Sequence, residues 1–232
     1  MLNLSVIIPA YNEAENLKLV LPRLIRSLQD MKISFEVLVI DTEKPLDDTH
    51  VVCEKFTQQN VRCIPRQEGP SFGSAVRTGI QHCKGKFVVF MDGDGSHDPE
   101  LIKKLYEIRD NADVIVASRY IKGGDTENGW ILKQMSLIVN IVFRIVFAIH
   151  CRDISNSFKL YKGPDIRSLN LVCENFDLVE EILVKLKRAK HDLKIIEIPC
   201  LFHQRKHGKT KRRLLAFVFT FIYTLLRLRF MK

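Results

Sequence analysis

The chain has no uninterrupted run of about twenty apolar residues, the length a helix needs to cross a bilayer. Its two nearest stretches fall short: Ile131 to Ile149 is broken by Lys133, Gln134, Asn140 and Arg144, and Leu214 to Leu226 holds only 13 residues. Neither is predicted to span a membrane; both suit the interface plane, or packing on a small integral membrane partner. The six cysteines form no Cys-x-x-Cys pair and the seven histidines show no ligand spacing, so no thiolate or imidazole metal centre is predicted. No signal-like segment precedes Ser5, and the scattered cysteines read as reduced thiols in a cytosolic compartment. Low-complexity linkers and internal repeats are also missing, which argues against disorder and solenoid architectures.

What is present is enough apolar material for a core, 46% of 232 residues, and an excess of positive charge. Thirty-six Lys and Arg against 27 Asp and Glu give a formal charge of +9, which suits a polyanionic partner. The cations concentrate at Arg205, Lys206, Lys209, Lys211, Arg212 and Arg213, immediately before an apolar stretch. A basic segment running into an apolar one favours an anionic membrane surface. Nucleic acid is not expected as a partner, because Phe217, Phe219, Phe221 and Tyr223 form an apolar tail and do not interleave with the basic residues. The expected organisation is a catalytic domain over residues 1–210, with an interfacial segment at 130–150, and a basic-apolar membrane-associating tail at 211–232.

Along the first 120 residues, short β-branched runs alternate with amphipathic stretches. Strands are predicted at Leu4–Ile8, Glu36–Ile40, Val61–Ile64, Phe87–Met91 and Val114–Ala117, with helices near Glu13–Leu28, Asp47–Thr57, Gly73–His82 and Pro99–Arg109. This alternation implies an α/β fold with a mostly parallel central sheet covered on both faces. Beyond Tyr120 the pattern becomes a long amphipathic segment, a polar turn at Arg152–Asn156, a helix Phe176–Arg188 and a strand Lys194–Ile198. Ligands of such sheets bind beyond the carboxyl ends of the strands, so the informative residues should follow each strand. They do: Pro9 to Glu13, Asp41, and Asp92-Gly93-Asp94.

Asp92 and Asp94 leave the end of an apolar strand, Val88 to Met91, separated by one glycine. Hard divalent cations take oxygen ligands and share them with phosphates, so this pair makes a metal-diphosphate clamp chemically reasonable. The segment Asp92 to Glu100 closely resembles that of family 2 glycosyltransferases of the dolichyl-phosphate mannosyltransferase and polyprenyl-phosphate glycosyltransferase type. The resemblance extends through Ser5 to Glu13, Gly73-Ser74-Ala75 to Gly79, Ser118-Arg119-Tyr120 with Gly123-Gly124, and Phe202 to Arg205 with Gly208, Thr210 and Lys211. Five motifs in order carry it.

The resemblance implies a glycosyltransferase-A fold with C-terminal amphipathic interfacial helices, and inverting transfer of a sugar from a nucleoside-diphosphate sugar, GDP-mannose or a UDP-hexose, to a polyprenyl phosphate at the cytoplasmic face of a membrane. It implies that Pro9, Tyr11, Glu13, Val39 and Asp41 contact the nucleotide-sugar, together with Asp92, Gly93, Asp94, Arg205 and Lys211. Mg²⁺ or Mn²⁺ is implied at Asp92, Asp94 and Ser96, and acceptor phosphate at Arg119, Lys133 and Ser136, with Asp92, Asp94, Arg119 and Arg205 as the catalytic set. Glu181 stands where the family carries an acidic residue before a helix. For Asp41 a helix N-cap is an alternative, for Lys133 a snorkelling surface residue, and for Glu181 a surface pair with Lys185.

The basic residues also make sense by themselves. A phosphate oxygen is already ionised near neutral pH, so no base need deprotonate it, but cations must hold it beside a second anion. The chain departs from the family pattern after its second strand, where Ile40-Asp41-Thr42-Glu43-Lys44-Pro45 lacks the usual second acid. That leaves the nucleobase open and keeps two competing readings in view: a catalytically impaired membrane adaptor, and a transferase acting on a hydroxyl acceptor.

Overall fold

Strands and helices alternate strictly through the first half of the computed structural model, which describes residues 2–205 and 214–230. In chain order they are β1 (Leu4–Pro9), α1 (Ala14–Asp30), β2 (Phe35–Asp41), α2 (Thr49–Glu54), β3 (Val61–Pro65), α3 (Phe72–His82), β4 (Phe87–Phe90), α4 (Leu101–Glu107) and β5 (Val114–Ser118). The second half holds β6 (Asp125–Thr126), α5 (Trp130–Val146), β7 (Lys159–Lys162), α6 (Gly163–Arg167), α7 (Leu178–Ala189), β8 (Ile195–Pro199), β9 (Leu201–Phe202) and α8 (Leu214–Phe230).

Seven strands form one sheet in the order β3-β2-β1-β4-β7-β5-β8, and β6 pairs with β9 apart from it. All neighbours in the large sheet are parallel except β7, which runs antiparallel to both β4 and β5. Both faces are covered, so β1 and β2 are buried along their length and read as near-continuous apolar runs. Val6, Ile8, Val37 and Val39 pack with Leu17, Leu21 and Leu24 of α1 and Ile102 and Leu105 of α4. Ile7, Leu38 and Ile40 belong to the opposite layer, with Val76 and Ile80 of α3, Val139 and Phe143 of α5, and Ile182 and Leu186 of α7. In α1 the buried leucines recur every three or four residues and Pro22 faces solvent.

Every strand anticipated from the sequence is found within two residues of its expected limits. The helix anticipated at Asp47–Thr57 is shorter, α2 followed by a 3₁₀ turn at Thr57–Gln59, and that at Pro99–Arg109 contracts to Leu101–Glu107. β7 was not anticipated. Its sequence, Lys-Leu-Tyr-Lys, has charged ends, yet Lys159 is fully buried because its ammonium donates to the carbonyls of Ile154 and Asn156.

The long amphipathic segment forms α5, which buries Val139, Asn140 and Phe143 and leaves Ile131, Ile138, Ile141 and Ile145 exposed. Phe221 of α8 lies with its ring 5.7 Å from that of Phe143, and Leu228 of α8 is fully buried. Among the described residues no helix is long and apolar enough to cross a membrane.

Strand order reverses between β1 and β4, which makes a crevice at their carboxyl ends, where Pro9, Asp92 and neighbouring Asp41 lie. α3 is set against the segment before α7: the Gly73 N–H donates to the Glu174 carbonyl at 2.7 Å. A Cβ on Gly73 would overlap the Cys173 carbonyl oxygen and lie 2.8 Å from Glu174 Cα. Gly73→Ala is expected to cost about 1–3 kcal/mol through this backbone clash, read as a lower denaturation midpoint with an unchanged slope.

Candidate active site

β4 ends at Phe90, and the next turn presents the two carboxylates. Ser157 Oγ donates to Asp92 Oδ1 at 3.0 Å. Ser96 donates to Asp94 Oδ1 twice, from its N–H at 3.0 Å and its hydroxyl at 2.6 Å. Between them Gly93 is pressed on the core: a Cβ there would lie 3.1 Å from Ile8 Cγ2. Ser96, expected among the metal ligands, is 1% exposed and spends its hydroxyl proton on Asp94, so it positions a carboxylate. Among the described residues no group of three or more His, Cys, Asp or Glu has metal-site spacing. The turn after β4 thus presents two carboxylates, Asp92 and Asp94.

A buried histidine supports the turn from behind. The Asp92 N–H donates to His97 Nδ1 at 3.0 Å, which leaves the proton on Nε2, 3.2 Å from Asn156 Oδ1. Asn156 in turn donates to the Ala117 carbonyl at 2.6 Å, and the imidazole stacks on Phe158 at 4.7 Å. Burial lowers the His97 pKa, against the pull of Asp92 and Asp94, so the ring is neutral and serves as an acceptor. Sequence reading passed over His97, Asn156 and Ser157, because their partners are 5 to 65 residues away.

Arg205, three residues after β9, closes the crevice. Its guanidinium bonds Glu13 Oε1, and its Nε lies 3.6 Å from Asp94 Oδ2. Glu13 was expected to accept hydrogen bonds from the nucleoside, but Arg205 holds one of its oxygens and Asn16 Nδ2, at 2.6 Å, the other. Asp41 is 3% exposed at the end of β2, and its Oδ1 has no hydrogen-bond partner among the described residues. Burial is the largest effect on this carboxyl and raises its pKa. Asp41 is not a helix cap: Asp47 takes that work, accepting from the N–H groups of Ala14 and Thr49 at 2.8 and 3.0 Å.

Arg66, which drew no attention in the sequence, braces this loop. It donates to the backbone carbonyls of Asp41, Ala10, Pro70 and Ser71 and lies 5.9 Å from the centroid of the Tyr11 ring. Tyr11 itself is 42% exposed over the crevice mouth, and Pro9, Asp92 and Ser157 share the lining of a small apolar cavity with Phe90. Val39 lies two residues before Asp41 on β2. Its side chain is fully buried under α1, with its backbone in register with Ile8 and Cys63. Lys211 lies outside the described residues.

Arg119 is almost completely buried and bound to Asp153, through Nε at 2.8 Å and Nη2 at 2.6 Å, with the Arg119 N–H adding a third bond at 2.8 Å. Ser155 and Ser136 accept from the same Nη2 at 2.9 and 3.2 Å. Burial opposes the charge, but the Asp153 carboxylate outweighs it and raises the guanidinium pKa. Lys133, one turn before Ser136 on α5, pairs with Asp125 at 2.9 Å on the surface. Glu181 is neither a surface residue nor at the crevice: fully buried, it accepts from the N–H groups of Val172 and Cys173 and from Lys185.

Two carboxylates at the switch point, a guanidinium beside them and an unmet acceptor on the next strand form a constellation for an anionic, hydrogen-bonding ligand. The sequence profile of Glycosyl transferase family 2 matches residues 5–168. The chain belongs to that family. The dolichol-phosphate mannosyltransferase of Pyrococcus furiosus is 33% identical over 90% of this chain and 59% of its own length. The undecaprenyl-phosphate mannosyltransferase of Micrococcus luteus is 29% identical over 88% of this chain and 85% of its own. This chain thus spans 59% of the Pyrococcus relative.

Among solved structures, glucosyl-3-phosphoglycerate synthase of Mycobacterium tuberculosis with Mn²⁺, UDP and phosphoglyceric acid matches at a TM-score of 0.72 and 18% identity, covering 99% of this chain and 79% of that one. The same synthase is also known with Mg²⁺ and UDP. At that identity the likeness is one of fold, and it makes this family 2 glycosyltransferase glycosyltransferase-A-like.

Two outcomes follow from the buried charges. Asp153→Ala strands the Arg119 guanidinium and should cost about 3–5 kcal/mol, read as a loss of unfolding free energy larger than that of the double variant Asp153→Ala with Arg119→Leu. Lys159 has a pKa lowered to about 8 by burial, against the opposing pull of Cys151 and Asp153. Above that pH the folded chain sheds a proton that the unfolded chain keeps until about 10.4. Stability relative to Lys159→Met should therefore rise as pH climbs from 8 toward 10, and a flat or falling difference would contradict the assignment.

Proposed function

We propose that this family 2 glycosyltransferase moves a hexose, mannose first, from a nucleoside-diphosphate sugar to the phosphate of a polyprenyl lipid, with inversion at the anomeric carbon. The observation that carries this reading is the Asp92-Asp94 pair at the switch point, with Arg205 already drawn against it. Mannose is favoured because the Pyrococcus and Micrococcus relatives are both named mannosyltransferases, one for dolichol phosphate and one for undecaprenyl phosphate.

Mg²⁺ or Mn²⁺ fits the residues present. Ser157 and Ser96 each fasten one oxygen of a carboxylate, which fixes the pair in orientation, and a hard cation can complete its shell from diphosphate oxygens and water. Such an ion would neutralise the departing diphosphate. Arg205 is placed to add a second positive charge on the same side, and Asp41 Oδ1 offers an acceptor to a base or ribose donor. Filling that acceptor would remove a desolvation cost, which gives donor binding a selective element.

The acceptor side needs cations and no base. A phosphate monoester is largely dianionic at neutral pH, its second pKa being about 6. One of its oxygens attacks the anomeric carbon from the face opposite the diphosphate, the new C–O bond forming as the old one breaks, and the bonding pair leaves with the diphosphate. Lys133, Ser136 and the Arg119 cluster lie at the start of α5, where a lipid phosphate could be held beside an interfacial helix. The basic-apolar sequence at 211–232 suits the same lipid surface, and six free thiols suit the reducing, cytoplasmic side.

The reading is tested by incubating the protein with GDP-mannose and a panel of UDP-hexoses, Mg²⁺ or Mn²⁺, and three acceptors: a short polyprenyl phosphate, the matching polyprenol and a soluble sugar. Product is expected with the phosphate alone, lost on adding EDTA and reduced at least ~100-fold by Asp94→Asn. Efficient use of either hydroxyl compound would replace the phosphate acceptor with a hydroxyl one. No product with any donor would favour an adaptor.

A further inference from the structure

The C-terminal end of α5 carries a feature that the transfer reaction does not use. The helix stops through a Schellman turn: Ala148 takes a left-handed φ of 51°, the Ile149 N–H reaches back to the Arg144 carbonyl at 3.2 Å, and Ile149 is buried. The chain then doubles back through His150, Cys151 and Arg152. The turn encloses an open concavity of about 480 Å³ lined by Arg144, Ile145, His150, Arg152 and Glu197.

Arg144, His150 and Arg152 are all exposed there. Glu197, the one carboxylate among the described residues that line it, is turned to the backbone, accepting from the N–H groups of Arg152 and Asp153 at 2.9 and 3.1 Å. Two guanidiniums and an imidazole therefore face a hollow whose only acid is spent elsewhere. The helix dipole opposes an anion at this end, but the Arg144 carbonyl is occupied by the Ile149 N–H, and two guanidiniums face the hollow against what remains.

The neighbouring face of α5 is apolar and uncovered. Ile138, Ile141 and Ile145, spaced three and four residues apart, are 57%, 49% and 71% exposed, and their stripe runs into the cationic hollow at Ile145. An apolar stripe ending in a basic pocket is the pattern of a helix lying at a lipid interface, side chains among the acyl chains and cations at headgroup depth.

We propose that this concavity seats an anionic phospholipid headgroup of the bilayer, with the Ile138, Ile141 and Ile145 stripe inserted beside it. This rests on the transfer reading only in taking the acceptor to be a membrane lipid, and vesicle binding is measured without any transfer, so the two can fail separately. The phosphodiester would be held by Arg144 and Arg152, whose planar forks suit two oxygens each.

The test is co-sedimentation of the full chain with vesicles of phosphatidylglycerol and phosphatidylcholine, and of phosphatidylcholine alone. Arg144→Glu with Arg152→Glu should weaken partition onto the anionic vesicles at least ~30-fold, two arginines contributing about 1 kcal/mol each. It should leave transfer to a short, water-soluble polyprenyl phosphate unchanged, which also shows that the variant folds. A control that shifts net charge equally at the exposed Lys55 and Lys104, both to Glu, should lose far less. Equal losses in the two variants, or undiminished binding by the first, would overturn the headgroup site. Ile145→Ser should weaken binding to both kinds of vesicle, and no change there would remove the insertion half of the proposal.

Discussion

The Lys159 ammonium has no water to solvate it, and its hydrogens go instead to the carbonyls of Ile154 and Asn156. Those bonds fix the backbone of the 152–157 loop. Three side chains of that loop then each fasten a different part of the crevice: Asp153 holds Arg119, Asn156 holds His97 and through it the Asp92 N–H, and Ser157 holds an Asp92 oxygen. An unpaired charge at Lys159 would be expensive enough to unfold the strand that carries it. The loop is thus held rigidly by the requirement that one buried cation be satisfied.

Charge is arranged on the same principle on both sides of the carboxylate pair. Arg119 is neutralised by Asp153 in a dry setting, whereas Arg205 lies against Glu13 and Asp94 in a crevice open to ligand. The first pair shapes the wall. The second pair can be reorganised, because a diphosphate would compete with carboxylates for the same guanidinium. Burial lowers the Arg205 pKa without removing its charge.

The alternation of strands and helices was legible because each element buries one face and the residues carry the period of that face. The Asp92-Gly93-Asp94 turn was legible for the same reason, as polar residues at the end of an apolar run. What could not be read were contacts whose sequence has no period. Lys159 looks like a surface residue in any window, and its burial depends on two carbonyls presented by a bend. Arg66 has the composition of an exposed loop cation, yet it binds four backbone oxygens. Val39 carries no such signal in either direction: it is a fully buried strand residue in the layer under α1.

The antiparallel strand β7 lies between β4 and β5, so the strand that delivers Asp92 never touches the strand that delivers Arg119. Two sheet spacings, roughly 10 Å, separate them. Everything between Ser118 and Lys159, including α5, is an excursion that leaves the sheet on one strand and returns on its neighbour. Such an excursion can lengthen, shorten or change its apolar content while the β1-β2-β4 crevice keeps its register. The architecture is modular along its own sheet: the part of the insert that carries α5 can be exchanged while the crevice is kept, provided the returning loop still brings Asp153, Asn156 and Ser157 and the strand its lysine.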